Sequence, residues 1–180
     1  MPKNIKASIL HSLANFMSKM QARACIISRV TGLSTTETRR IWKRIAGYSS
    51  PSGQQPTDLS WFLKTPERRS HSALILLLYR QAQRTMPEYA DFSHAYYHYG
   101  RITGGQIKPE IWQHKDPAFR SREQDYVIPF SRGYFLAQTY TDDLRRDGTR
   151  KCPLQLRRCK VCGGIYLAHW EEVQNKCPAH

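Results

Sequence analysis

Acidic residues are scarce in this sequence. Against 28 Lys and Arg, its 180 residues carry only 14 Asp and Glu, for a formal charge of +14. The shortage is local. Residues 1–48 hold nine basic residues and a single acid, Glu37. Residues 145–160 hold seven bases against Asp147, whereas residues 49–144 carry eleven bases and ten acids. A merely solubilised surface would spread its charge. Two basic clusters flanking a near-neutral middle suit a polyanion with phosphates along its length.

Long apolar runs are also missing. The longest, Ala73 to Tyr79, is far too short to cross a bilayer. Lys3, Lys6 and Lys19 punctuate the first helix-like stretch, so no signal peptide is expected and a cytoplasmic location is. Without an export signal, the five cysteines read as metal ligands in a reducing compartment rather than as a disulfide framework. Catalytic signatures are lacking too. No paired carboxylates stand beside a His/Cys cluster, and there is no nucleophile motif. Thr103-Gly104-Gly105 lacks the lysine and following Ser/Thr of a phosphate loop. Asp142-Asp143 is a lone acidic pair. The chain is therefore not expected to be an enzyme.

What is present begins with cysteine spacing. Cys159-Lys160-Val161-Cys162 is followed by Gly163-Gly164, and fourteen residues separate Cys162 from the Cys177-Pro178-Ala179-His180 that completes the pattern. Two such pairs supply the four corners of a tetrahedral zinc site. Cys152 and His169 are alternatives to His180 as the fourth ligand. Leu154 to Arg158 alternates apolar and basic residues, as a strand does, and Ile165-Tyr166-Leu167 reads as its return. A small zinc-ribbon-like hairpin follows from this. With four protein ligands no position stays open for water, so one structural zinc per chain is expected.

The other basic cluster sits on a helical pattern. Residues 4–20 read as an amphipathic helix whose stripe includes Ile5, Ile9, Leu13 and Phe16, suited to core or to a partner helix. Gln21 to Val30 is expected to continue as helix until Thr31-Gly32-Leu33 breaks it. Ser34-Thr35-Thr36-Glu37 is a capping box, and a second helix follows through Ala46. Helix, glycine turn and capped basic helix have the layout of a helix-turn-helix. A position that such motifs fill with an aliphatic residue holds Thr38. In a DNA reader, Thr35, Thr36, Arg39 and Arg40 face base edges, and Lys43 and Arg44 meet phosphates.

Tyr48 to Thr57 is a Ser/Pro/Gly/Gln-rich loop. A helix from Pro66 to about Gln83, apolar around Ala73, Leu74, Leu76, Leu77 and Leu78, is expected to be well buried. The aromatic stretch 86–100 carries His94 and His98, read as core or surface histidines because no further ligand stands nearby. Residues 106–126 look irregular, and Val127 to Tyr140 reads as helix. Cys25 is expected to be a buried small hydrophobe.

The stretch from Leu154 to Gly164 together with Cys177 to His180 resembles the metal-binding end of the FlhC family, the flagellar master transcriptional activators of bacteria. Ser34 to Gly47, the Pro51-Ser52-Gly53 loop and Trp61-Phe62 are similar, in the same order, to that family's basic helix, proline-rich loop and Trp-Phe pair. Where the family has a final cysteine, this sequence has His180, which zinc also accepts. The sequence stops there, so DNA contacts made by a further basic tail are expected to be absent, with Arg150, Lys151, Arg157, Arg158 and Lys160 as compensating cations.

The resemblance implies a mainly helical protein. Residues 1–144 would be a DNA-binding and oligomerisation domain, and residues 145–180 a zinc domain. It also implies an FlhD-like partner in a hetero-oligomer and RNA polymerase recruitment at promoters, either of flagellar genes or of conjugative-transfer genes on a mobile element. The competing reading is an RNA-binding or ribosome-associated zinc-ribbon protein, with the aromatics at 89–99 as stacking platforms.

Overall fold

The computed structural model describes residues 3–55, 57–103, 127–145, 152–174, 176–177 and 179–180. The irregular stretch expected at 106–126 lies outside them. Among the described residues the chain is mainly helical and ends in a two-stranded antiparallel hairpin carrying the cysteine cluster, in agreement with the expected fold class.

The first three helices, α1 (Lys3–Lys19), α2 (Ala24–Thr31) and α3 (Thr35–Ala46), pack on one another. The helix expected to run on from Gln21 is instead interrupted between α1 and α2. Gln21 takes a left-handed φ of 62°, and the Ala22 amide bonds the Met17 carbonyl at 3.0 Å. The gain is tertiary. The turn buries Met20 and Ala22 and presents the Ala22 carbonyl to the indole N–H of Trp42 at 2.7 Å. The Gln21 side-chain oxygen accepts from Tyr48 Oη at 2.6 Å. Glutamine is a good helix former, so local propensity carries no signal for this break.

α2 stops where expected, at Gly32. Its φ of 72° is open to glycine at no steric cost, and its N–H closes on the Ser28 carbonyl. Ser34 then caps α3, its Oγ accepting from the Glu37 amide at 3.2 Å. The return half of the capping box is replaced. The Glu37 carboxylate lies 3.3 Å from His11 Nε2 and so ties α3 to α1. Thr38, in the aliphatic position, is fully buried and donates its hydroxyl to the Thr35 carbonyl at 3.0 Å. Ser34→Ala should cost about 1 kcal/mol, as loss of an N-cap does. The check is the urea midpoint, and an unshifted midpoint would show the cap to be idle.

A 3-10 turn, Ser60–Leu63, leads into α4 (Pro66–Thr85), which Thr65 caps and Pro66 opens. α4 is the central element, packing against α5 (Asp91–Ile102), α6 (Phe130–Arg145) and the hairpin. Its leucines are not uniformly buried. Ala73, Ile75, Leu76, Tyr79 and Ala82 face the core, while Leu77 is exposed and Leu74 and Leu78 are half-buried. A helix covered on some sides only needs a stripe rather than a collar of apolar residues.

From α5, Tyr96 and Tyr99 are buried and hold the segment that enters α6. Tyr96 Oη donates to the Ile128 carbonyl, and Tyr99 Oη accepts from the Ile128 amide at 2.9 Å. Burial pushes both phenols above their ordinary range. α6 approaches α4 and α5 closely at Gly133, where a Cβ would stand 3.3 Å from both Ile75 and Phe92.

The hairpin pairs β1 (Leu154–Arg158) with β2 (Ile165–His169), with Leu156 opposite Leu167. Leu154 and Leu167 join the helical core, while Tyr166 and Ala168 form a second small cluster with Cys159. Arg69 of α4 fastens the hairpin's far end. It holds the Glu172 carboxylate with bonds of 2.8 and 3.0 Å and donates through Nε to the Leu63 carbonyl.

Candidate nucleic-acid interface and metal centre

The cap and the packing of α3 decide which residues it offers outward. With Thr38, Ile41 and Trp42 turned into the core, Thr35, Thr36, Arg39, Arg40, Lys43 and Arg44 are all exposed on the other face. Arg44 is steadied by the Asn15 side-chain oxygen of α1 at 3.0 Å. Beside α3 runs a groove of about 590 Å³, with Thr35, Thr36, Arg39, Arg40 and Lys43 lining one part and the loop Ser49–Gly53 another.

That loop reads in the sequence as a linker, yet it is tied down. Ser50 Oγ accepts from the Ala24 amide at 3.0 Å, satisfying a free N–H at the start of α2, and Arg23 donates to the Gly53 and Gln54 carbonyls. Cys25 also lines the groove. It is exposed rather than buried, with Gln55 Nε2 2.8 Å from its sulfur. No feature of the Ser/Pro/Gly composition announces these contacts, because they depend on the tertiary position of α2.

The second candidate cation group is divided. Arg150 and Lys151 lie outside the described residues. Arg158 and Lys160 are exposed. Arg157 is engaged internally, donating to the Trp170 carbonyl at 2.9 Å and to the Glu172 carbonyl, so it braces the loop after β2.

Between β1 and β2 the chain turns at Cys159–Gly164. The Cys159 amide bonds the Gly164 carbonyl at 2.8 Å and the Gly163 amide returns to the Cys159 carbonyl at 3.0 Å. Gly163 has a φ of 73°, and a Cβ on Gly164 would stand 3.3 Å from Cys162 Sγ. The turn at the other end is closed by the His180 amide on the Cys177 carbonyl at 2.9 Å. These turns bring one ligand atom from each of Cys159, Cys162, Cys177 and His180 to within 4.8 Å of one another, close enough to hold a metal ion.

The distances suit a tetrahedral site. Zn–S bonds of about 2.3 Å and Zn–N bonds of about 2.0 Å put neighbouring ligand atoms about 3.5–3.8 Å apart. Cys162 and Cys177 sulfurs are 3.7 Å apart, and His180 Nδ1 lies 3.1 Å from the Cys177 sulfur and 4.0 Å from that of Cys159.

Backbone N–H groups are aimed at the sulfurs as a thiolate site requires. Amides of Cys162, Cys177 and Val161 favour the Cys159 thiolate and bring its pKa down to about 6 against the opposing effect of burial. At Cys177 the Ala179 amide favours the thiolate, but burial and the neighbouring Cys159 and Cys162 sulfurs outweigh it and raise the pKa. Of the alternative ligands, Cys152 is buried in the helical core and His169 turns to the Glu171 carboxylate at 3.6 Å. His94 and His98 bring their Nε2 atoms to 3.3 Å of each other but belong to no group of three or more ligands among the described residues.

Comparison with known proteins bears on α1 to α5 above all. The family described as "Flagellar transcriptional activator (FlhC)" matches residues 3–108, more than half of the chain. The flagellar transcriptional regulator FlhC of Thauera aminoaromatica is 26% identical over 156 residues, covering 85% of this chain and 66% of that protein. The chain therefore spans just under two thirds of that relative's length. No helix among the described residues is long and apolar enough to cross a membrane.

Proposed function

The chain belongs to the FlhC family of flagellar transcriptional activators, and from that premise we propose that it binds promoter duplex DNA through α3 and activates transcription from the cytoplasm. The observation that carries this reading is the capped α3, whose inner face is fixed in the core and whose outer face holds Thr35, Thr36, Arg39, Arg40, Lys43 and Arg44 in the open. Residues early in a recognition helix reach base edges, and cations later in it meet phosphates.

In this reading residues 1–144 form the DNA-binding and oligomerisation domain and residues 145–180 the zinc domain. Cys159, Cys162, Cys177 and His180 hold zinc, which supplies a closed structural anchor. The hairpin so anchored offers Arg158 and Lys160 to the DNA, together with Arg150 and Lys151. An FlhD-like subunit completes the hetero-oligomer, which recruits RNA polymerase at flagellar or conjugative-transfer promoters.

The test is footprinting on promoter fragments of both gene classes, with the chain co-expressed with an FlhD-like subunit. Protection should appear with one class. Arg39→Ala should weaken it by about 1–3 kcal/mol if that guanidinium holds a base edge. Undiminished protection by an Arg39→Ala, Arg40→Ala double variant would remove α3 from the interface.

A further inference from the structure

α5 carries two histidines one turn apart on its outward side. Its inward side is fixed in the core. Phe92, Ala95, Tyr96 and Tyr99 are buried there, and the Tyr96 and Tyr99 hydroxyls bond the backbone of Ile128. This packing sets the rotation of the helix about its axis and so sets which residues face out. His98 is exposed and His94 is half-buried. Residues four apart on a helix lie side by side. The two rings stand 4.5 Å apart between centroids, and their Nε2 atoms converge to 3.3 Å.

A direct hydrogen bond between these atoms needs a proton on one Nε2. At an exposed place such a bond gains little, because water serves either nitrogen as well. With each proton on Nδ1 instead, both Nε2 lone pairs are open to a cation. Among the described residues nothing bonds either Nδ1, so both can present their protons to water. Neutral imidazole in this form is a metal ligand.

The separation selects among metals. Two Zn–N bonds of about 2.05 Å at the tetrahedral angle put their nitrogens about 3.3 Å apart. At the right angles of a square-planar or octahedral site, bonds of that length need about 2.9 Å. The observed 3.3 Å is the tetrahedral value. No third His, Cys, Asp or Glu among the described residues joins the pair, so two corners are left to solvent.

We propose that His94 and His98 form a second zinc site, bidentate and open to water at its other two corners. It depends neither on the DNA reading nor on the cysteine cluster of the hairpin. The cluster has four candidate ligands, with backbone amides aimed at the Cys159 sulfur. The histidine pair has two ligands and no second layer of bonds to hold them, so its ion exchanges readily. Zinc bound there ties successive turns of α5 together and stabilises the folded chain by mass action. Since α5 holds the segment entering α6 through Tyr96 and Tyr99, that part of the chain becomes firmer as available zinc rises.

The test is a zinc titration of the full chain against a chromogenic chelator, after desalting so that only firmly held metal remains. A labile ion should bind at one per chain, and the thermal midpoint should rise with it. His94→Ala and His98→Ala should each weaken that ion by about 100-fold, since two linked ligands exceed either alone by at least that factor. Neither change should move the firmly held ion or the zinc-free midpoint, and each variant covers the case in which the other fails to fold. If the desalted chain holds no metal but still takes up a labile ion that both variants lose, the cluster reading fails and this proposal stands. A labile ion that persists in both variants lies elsewhere and overturns the proposal. So does the absence of any labile ion, or one taken up only at millimolar zinc, which would be an adventitious ion only.

Discussion

On the proposed zinc site, Cys159→Ser should abolish metal binding and free the hairpin from α4. Of the four proposed ligands, Cys159 is the one whose loss should do most harm, since it is buried and its sulfur receives the Val161 and Cys177 amides at 3.4 and 3.2 Å. A two-stranded hairpin is marginal alone, and structural zinc contributes on the order of 10 kcal/mol to folding in small domains. Removing the metal therefore exceeds anything Leu154, Leu167 and the Arg69–Glu172 pair can hold together. Metal analysis should fall from one ion per chain to none, with rapid amide exchange in β1 and β2 and little change in α1 to α3. A chelator should reproduce this on the unaltered protein. His180→Ala should weaken metal binding, and Cys152→Ala should not. Loss of metal from Cys152→Ala alone would show that the four ligands are misassigned.

Trp42→Ala should have the next largest effect, about 4 kcal/mol of destabilisation, as for other buried large-to-small changes. Trp42 is wholly buried where α1, α2 and α3 meet, and Tyr48 packs edge-on against it at 4.7 Å. The truncation also strips the Ala22 carbonyl of its indole donor. Since α3 is oriented by this residue, DNA binding should fall with stability. Trp42→Phe separates the two contributions, filling most of the space while removing the hydrogen bond for about 1 kcal/mol. Urea midpoints measure both. A Trp42→Ala midpoint close to that of the unaltered chain would mean that α3 is held by something else.

Features written in neighbouring residues are legible from the sequence alone. Ser34 and Glu37 stand three apart and cap α3. Cys159, Cys162, Gly163 and Gly164 define a turn, and the alternation from Leu154 to Arg158 becomes β1. The resemblance to the FlhC family rests on the same stretches.

What the sequence conceals depends on partners far away along the chain. The break at Gln21 exists because Trp42 needs the Ala22 carbonyl. Leu77 is exposed because its neighbours leave that side of α4 uncovered. Arg157 belongs to a basic run but is engaged by the carbonyls of Trp170 and Glu172. The stacking of Arg68 and Arg132 on Trp61 joins the starts of two helices, and no local pattern in the sequence connects them.

Recognition of duplex promoter DNA is the reading on which the proposed role of α3 depends. It is tested by comparing equilibrium binding of a footprinted promoter duplex and a single-stranded RNA of the same length at equal salt. Tighter binding to the duplex is predicted, with log K falling steeply as log salt rises and with a loss of preference in Arg39→Ala. Tighter binding to the RNA would contradict duplex recognition and favour an RNA-binding zinc protein.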